Sequence, residues 1–183
     1  HPDGALAGYT LANGIMHAMT QNVRGLPEQW QDASVSQLHY RYDKNGNVTS
    51  IDDIVDPRAT RSLGYDGLDR LTAARGVWGT GSYTYDALDN LRSSQLGRLS
   101  LTMHVDPATN RLNRVSGWLN YDVQYDASGN VYRRGDEGYS FDIANRLQNV
   151  WGRANHGYDG HGRRVWTGYA DGRTLFQGYG LGG

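Results

Sequence analysis

Apolar residues in this chain recur at every second position, and nowhere do they keep a helical stripe for longer than about ten residues. Pairs such as Tyr40-x-Tyr42, Tyr83-x-Tyr85 and Tyr139-x-Phe141 put two rings on one side of an extended segment, so the pattern predicts strands with an aromatic face. Residues 1–37 are less regular. Leu6, Leu11, Ile15, Trp30, Val35 and Leu38 are spaced through turn-prone polar residues, which predicts two or three strands ahead of the first regular repeat. Gly14-Ile15-Met16-His17-Ala18-Met19 is expected to form one helical turn at most.

The polar interruptions repeat. Six segments read aromatic-Asp-x-x-(Gly, Asp or Asn): Tyr42-Asp43-x-x-Gly46, Tyr65-Asp66-x-x-Asp69, Tyr85-Asp86-x-x-Asp89, Tyr125-Asp126-x-x-Gly129, Phe141-Asp142-x-x-Asn145 and Tyr158-Asp159-x-x-Gly162. A seventh begins at Val105-Asp106 and carries one inserted residue before Asn110-Arg111-Leu112. Successive anchors at 42, 65, 85, 105, 125, 141 and 158 are 23, 20, 20, 20, 16 and 17 residues apart, a period typical of repeat architectures. Asp at the first turn position can accept from backbone N–H groups ahead of it. The fourth position of a bulged hairpin takes a positive φ, which Gly allows and which Asp and Asn tolerate best after it. Return strands are expected from Val48, Leu71, Leu91, Leu112, Val131 and Leu147. After Arg163-Arg164 the aliphatic Val165 arrives one residue late, which predicts either a correcting bulge or a change of course. Arg70, Arg111, Arg146 and Arg163 share one repeat position and are placed to stack on the rings or to bridge to the motif Asp of an adjacent unit.

Composition narrows the reading. An apolar share of 38% and a mean hydropathy of −0.68 are low for a chain of 183 residues with a full core, and suit a sheet with water on both sides. A net charge of −1 with interspersed signs argues against nucleic acid or an anionic membrane as partner. No cysteine is present, which excludes disulfides and thiolate metal sites, and no apolar run reaches membrane-spanning length. The 25 glycines fall at turn positions and not in a low-complexity tract. The start at His1 and the end at Leu181-Gly182-Gly183 lack the terminal motifs of a complete gene product, so the chain is expected to be a piece of something longer.

The tandem motif resembles the YD repeat of the Rhs family, shared with the C components of bacterial Tc toxins and with teneurins, over roughly residues 38 to 169. Tyr9-Thr10-Leu11-Ala12-Asn13-Gly14-Ile15 and Asn22-Val23-Arg24-Gly25-Leu26-Pro27 resemble the segments between such repeats. The resemblance implies an all-β fold of repeated antiparallel hairpins forming a long curled sheet, a section of a β-spiral shell. It implies a non-enzymatic structural role, a toxic C-terminal cargo and the rest of a longer chain as partners, and a secreted or cell-surface bacterial setting. The array divides into an irregular β segment at 1–37, the repeats at 38–169 and a truncated repeat at 170–183.

Other chemistry finds less support in the residues. The motif Asp residues sit at a turn-forming position in every unit, which accounts for them without a glycosidase pair. His156-Gly-Tyr-Asp159-Gly-His161 fits no zinc spacing, and neither a metal nor a cofactor is expected. Asp56-Pro57 and Asp106-Pro107 invite comparison with the cleavage motif of Rhs and Tc chains, but match it only in the Asp-Pro pair, which turn initiation explains. No nucleophile elbow, phosphate loop or dinucleotide fingerprint appears, so no enzyme is expected. Trp78, Trp118 and Trp151 lie between repeats, positioned to plug the seam between adjacent turns of the spiral or to stand out as contacts. Trp118 and Trp151 are the candidate ligand contacts. The alternatives are therefore an extracellular carbohydrate-binding or adhesion module, and a self-associating ribbon that forms filaments.

Overall fold

The structure is a computed structural model, and it describes residue 1 and residues 3–180. The chain divides into two compact units, His1–Leu101 and Thr102–Gly183. The first contains β1 (Gly8–Thr10), β2 (Met16–Gln21), β3 (Pro27–Asp32), β4 (Ser36–Tyr42), β5 (Val48–Asp53), β6 (Arg61–Tyr65), β7 (Leu71–Gly76), β8 (Gly79–Tyr85) and β9 (Leu91–Leu96). Each strand is antiparallel to the next in sequence. β10 (Leu99–Asp106) crosses the division. The second unit continues with β11 (Arg111–Gly117), β12 (Tyr121–Tyr125), β13 (Val131–Arg134), β14 (Glu137–Phe141), β15 (Leu147–Val150), β16 (Ala154–Tyr158), β17 (Arg164–Tyr169) and β18 (Thr174–Phe176). These strands form the same meander. The fold is thus all-β and built from successive antiparallel hairpins, as the alternation and turn spacing indicate.

Among the described residues the only helix is one 3-10 turn, Pro57–Ala59, capped by Asp56, whose carboxylate accepts from the Arg58 N–H at 3.2 Å. Residues 14–19, for which one helical turn at most is expected, form none. Met16–Gln21 is the strand β2, laddered to β1 on one side and β3 on the other. Two neighbours supply every residue of this short segment with cross-strand partners, and that outweighs a weak local preference.

The motif turns share one geometry. In 43–47 the Gly46 N–H donates to the Asp43 carbonyl at 3.3 Å and the Asp43 N–H donates to the Asn47 carbonyl at 3.0 Å; turns 66–70, 86–90, 126–130, 142–146 and 159–163 repeat both bonds. The fourth position is left-handed throughout, with φ of 99° at Gly46, 60° at Asp69, 64° at Asp89, 90° at Gly129, 60° at Asn145 and 80° at Gly162. Every one of these hairpins carries a register shift just before or at its aromatic residue, the bulge that a positive φ in this place produces. Arg164 therefore faces Tyr158 in the same way that Val48 faces Tyr42. The ribbon does not change course at the late Val165, because Arg164 stands in the aliphatic place. In the seventh repeat the inserted residue widens the turn, and the Asn110 N–H reaches back four residues to the Asp106 carbonyl at 2.8 Å.

Three further turns have this geometry without the full motif. Residues 11–15, 22–26 and 169–173 make the same two backbone bonds, with Gly14, Gly25 and Gly172 at φ of 83°, 75° and 87°. Of the C-terminal segment expected as a truncated repeat, residues 170–180 are described, and Leu181, Gly182 and Gly183 lie outside the described residues.

Burial is sparse, as a single-layer sheet requires. Ala74, Val115 and Val123 are the buried apolar side chains, joined by the polar His17 and Thr167. Stability must then rest on cross-strand and turn contacts more than on a central core. Gly162 has no neighbour closer than 3.9 Å to an added Cβ, so its φ alone governs replacement. Gly162→Val is expected to lower stability by about 1–2 kcal/mol and Gly162→Asn by much less, read as shifts in the denaturant midpoint.

Candidate functional site

The motif residues converge on a lock that joins each hairpin to the next. The Asp is spent within its own turn: Asp43 Oδ1 accepts from the N–H groups of Asn45, Gly46 and Asn47, each at 2.9 Å. The residue four places on closes the other carboxylate oxygen. Asn47 Nδ2 donates to Asp43 at 3.0 Å, Arg70 Nε to Asp66 at 2.8 Å, Asn90 Nδ2 to Asp86 at 3.0 Å and Asn130 Nδ2 to Asp126 at 3.1 Å. Arg146 Nε donates to Asp142 at 2.7 Å and Arg163 Nε to Asp159 at 2.9 Å. These donors hold all six carboxyls below the ordinary carboxylate value. The Asn or Arg side chain is the leading cause at Asp43, Asp66, Asp86 and Asp126, and the backbone N–H of the same residue at Asp142 and Asp159. In the widened turn Asp106 accepts instead from the Ala108 N–H at 2.9 Å and the Thr109 hydroxyl at 3.1 Å.

The aromatic residue faces the preceding hairpin. Tyr65 donates its hydroxyl to the Val48 carbonyl at 3.0 Å, Tyr85 to Leu71 at 2.9 Å, Tyr125 to Leu112 at 2.9 Å and Tyr158 to Leu147 at 2.7 Å. The acceptor is the first residue of the previous return strand, or the second in the case of Leu112 in β11. Tyr42 does the same to Pro27 at 2.6 Å and Tyr179 to Arg164 at 2.8 Å, so both ends of the array are tied in. Phe141 has no hydroxyl to give.

Arginine completes the joint. Arg70, Arg111, Arg146 and Arg163 lie over the rings of Tyr85, Tyr125, Tyr158 and Tyr179 at 4.9, 5.2, 4.9 and 4.8 Å. Arg70 also donates to the Asp86 carbonyl at 3.0 Å and pairs with Asp89 at 2.6 Å, while holding its own Asp66 at 2.7 Å. Where Asn replaces Arg, the amide bridges turns: Asn47 Nδ2 reaches Asp69 at 2.6 Å and Asn130 Nδ2 reaches Asn145 at 2.9 Å. Turn 22–26 joins in through Arg24, whose guanidinium donates to the Asp43 carbonyl at 3.0 Å.

The interstitial tryptophans make local contacts within the sheet. The rings of Trp78 and Trp151 lie on Gly76 and Gly138, two strand glycines where a side chain would collide with the indole. The Trp118 turn is pinned by Asn120, whose amide donates to the Gly117 carbonyl at 2.9 Å. All three remain accessible, Trp78 at 41%, Trp118 at 57% and Trp151 at 54%.

The His156 cluster is drawn into the sheet. His156 Nδ1 lies 3.0 Å from the Thr167 hydroxyl, Asp159 is held by Arg163, and burial, aided by Arg164, pushes the imidazole below its ordinary pKa. No group of three or more metal-ligating side chains is assembled among the described residues. A second cluster escaped the sequence reading. His17, 4% exposed, stacks on Tyr9 at 4.6 Å, meets the edge of Trp30 at 4.4 Å and lies 2.6 Å from Asp32. The His17 bond, with help from the Trp30 indole N–H, holds the Asp32 carboxyl down. It fastens β1, β2 and β3 together.

The sequence model of the teneurin YD-shell family matches residues 21–177. The chain belongs to the teneurin YD-shell family. This YD-shell chain is also similar in fold to solved Tc toxin structures. Against the crystal structure of TcdB2-TccC3 the TM-score is 0.70 at 19% identity, covering 91% of this chain and 11% of the other. Against TcdB2-TccC3-Cdc42 it is 0.61 at 16% identity, covering 91% and 12%. Against the Tc holotoxin pore of Photorhabdus luminescens it is 0.57 at 14% identity, covering 90% and 13%. The chain thus spans about an eighth of the length of those chains. No relative was found among curated protein sequences.

Two outcomes are expected of the lock. Asp43, Asp66, Asp86, Asp126, Asp142 and Asp159 have folded pKa values below the unfolded one, so the stability they contribute is present above the unfolded value of 3.8 and lost as pH falls through the folded one. The carboxyl contribution to the denaturation midpoint should be level above about pH 5 and fall below about pH 4, with the acid slope shallower in Asp66→Asn, while the lowered His156 adds a smaller decline below its ordinary value of 6.5. Tyr85→Phe leaves the Leu71 carbonyl without its donor and should lower stability by about 0.5–1.5 kcal/mol, read from the same midpoint.

Proposed function

We propose that this YD-shell chain is a non-enzymatic wall section of an Rhs-like polymorphic toxin or a related bacterial surface protein. Its work is to help enclose a toxic polypeptide until delivery. The observation that carries this reading is the lock, in which the motif carboxylate is taken up by its own turn while the arginine or amide and, at Tyr42, Tyr65, Tyr85, Tyr125 and Tyr158, the hydroxyl tie one hairpin to the next. Such a design propagates a sheet. A ribbon of this kind leaves unpaired edges unless it winds against itself, and winding would remove an aggregation hazard while creating an interior. The partners under this reading are the remainder of a longer chain and a cargo carried C-terminally, in a secreted or cell-surface setting. No helix of the described residues is long and apolar enough to cross a membrane.

Limited proteolysis of the longer native product tests this. The polypeptide downstream of residue 183 should resist digestion in the intact product and be digested rapidly when expressed alone or when Arg70→Ala and Arg146→Ala loosen the wall. Equal digestion in both settings would overturn the reading.

The exposed indoles support a second reading, a glycan-binding or adhesion module. Trp118 and Trp151 would supply stacking faces, with Asn120 and Asp122 close to Trp118 in the sequence as hydrogen-bonding groups. Saturable quenching of tryptophan fluorescence by a polysaccharide, abolished in Trp118→Ala or Trp151→Ala, would favour it. A flat titration would leave the wall reading alone.

A further inference from the structure

The chain contains two Asn-Gly pairs, Asn13-Gly14 and Asn45-Gly46, and both sit at the third and fourth positions of the same turn, with Gly φ of 83° and 99°. The geometry points to Asn13 as a site of spontaneous deamidation and isoaspartate formation, and to Asn45 as its protected counterpart. In this reaction the Gly14 backbone nitrogen, having lost its proton, attacks Asn13 Cγ. The new C–N bond closes a succinimide, the Cγ–Nδ2 bond breaks and ammonia leaves. Water then opens the ring at either carbonyl to give aspartate or isoaspartate, with no redox change and no other reactant.

Asn-Gly pairs are open to this chemistry because glycine leaves its nitrogen unhindered, so the surroundings decide the rate. At Asn13 they favour it. The Ile15 N–H donates to Asn13 Oδ1 at 3.2 Å, which polarises Cγ and is placed to stabilise the oxyanion that forms on attack. The Asn13 amide nitrogen, which must depart, is held by no bond among the described residues, and Asn13 and Gly14 are both exposed. The Gly14 N–H is retained only by the Leu11 carbonyl at 2.9 Å.

At Asn45, which is exposed as well, both the leaving amide and the attacking N–H are held by carboxylates. The amide nitrogen donates to the Asp69 carboxylate at 2.7 Å, which orders the leaving group. The attacking N–H of Gly46 donates to the Asp43 carboxylate at 2.9 Å, which opposes loss of its proton. The Arg24 guanidinium comes within 3.2 Å of where a Cβ of Gly46 would be, covering the turn. The Gly46 bond must break before ring closure and the Asn45 amide bond before ammonia leaves, so in the folded chain Asn13 should convert at least about tenfold faster than Asn45. The product inserts an extra backbone carbon and a negative charge into the turn that joins β1 to β2.

Peptide mapping by mass spectrometry, with enzymatic detection of isoaspartate, follows both sites during incubation of the folded chain at mildly alkaline pH. A sample in concentrated urea serves as reference. Isoaspartate should accumulate at 13 with 45 intact in the folded chain, while the two sites convert at similar rates in urea. Asp69→Gly, which keeps the left-handed position and removes the guard, should speed conversion at 45 severalfold and leave 13 unchanged. Equal folded rates, no conversion at either site, or the same preference in urea would each overturn the assignment. If Asp69→Gly merely unfolded the chain, site 13 would also shift to its rate in urea, which separates loss of the guard from loss of the fold.

Discussion

Everything in this fold depends on one arrangement: a carboxylate taken up by its own turn, with the side chain that closes it reaching on to the next. Asp66 shows the logic. Its Oδ1 accepts backbone N–H groups at Leu68 and Arg70, its Oδ2 holds Arg70, and Arg70 then stacks on Tyr85, donates to the Asp86 carbonyl and pairs with Asp89. A turn is thereby made rigid and oriented toward its neighbour in one act. The tyrosine answers in the opposite direction, its hydroxyl on the Leu71 carbonyl of the earlier hairpin. Each is modest alone, since an exposed ion pair contributes little and a neutral hydrogen bond about 1 kcal/mol. Repetition makes them sufficient.

This explains how a chain with so few buried side chains holds a defined shape within each unit. A two-sided sheet cannot rely on a thick core, so register must be fixed from the turns. The bulge before each motif aromatic and the left-handed residue four places on set which residues face each other, and the ladder follows. Substitutions within the motif keep to this rule. Asn replaces Arg at 47, 90 and 130, and at 47 and 130 its amide bridges to the neighbouring turn's fourth residue, Asp69 or Asn145, so the contact between turns persists without a guanidinium.

Much of the repeat was legible in the sequence because it depends on residues close together. The Asp-x-x-Gly spacing specifies a turn, and Asp69, Asp89 and Asn145 are side chains suited to the left-handed position they occupy. What could not be read depends on contacts across repeats or on departures from the motif. The target of the tyrosine hydroxyl is a backbone carbonyl 11 to 17 residues earlier, invisible without the register of two hairpins. Turn 22–26 has Asn22 for Asp and no tyrosine before it, yet Arg24 and Gly25 were signals that could have found it. Residues 14–19 locally suggest one helical turn at most, yet 16–21 became β2 because two neighbouring strands claim them. His17 followed, buried by that pairing.

Enclosure is the proposed role, and a density map of a longer native product carrying this segment tests it most directly. The account predicts that the hairpins continue into a closed wall with additional polypeptide density inside. An open or end-to-end stacked ribbon with nothing enclosed would contradict it, and the exposed Trp118 and Trp151 would then become the place to look for a ligand.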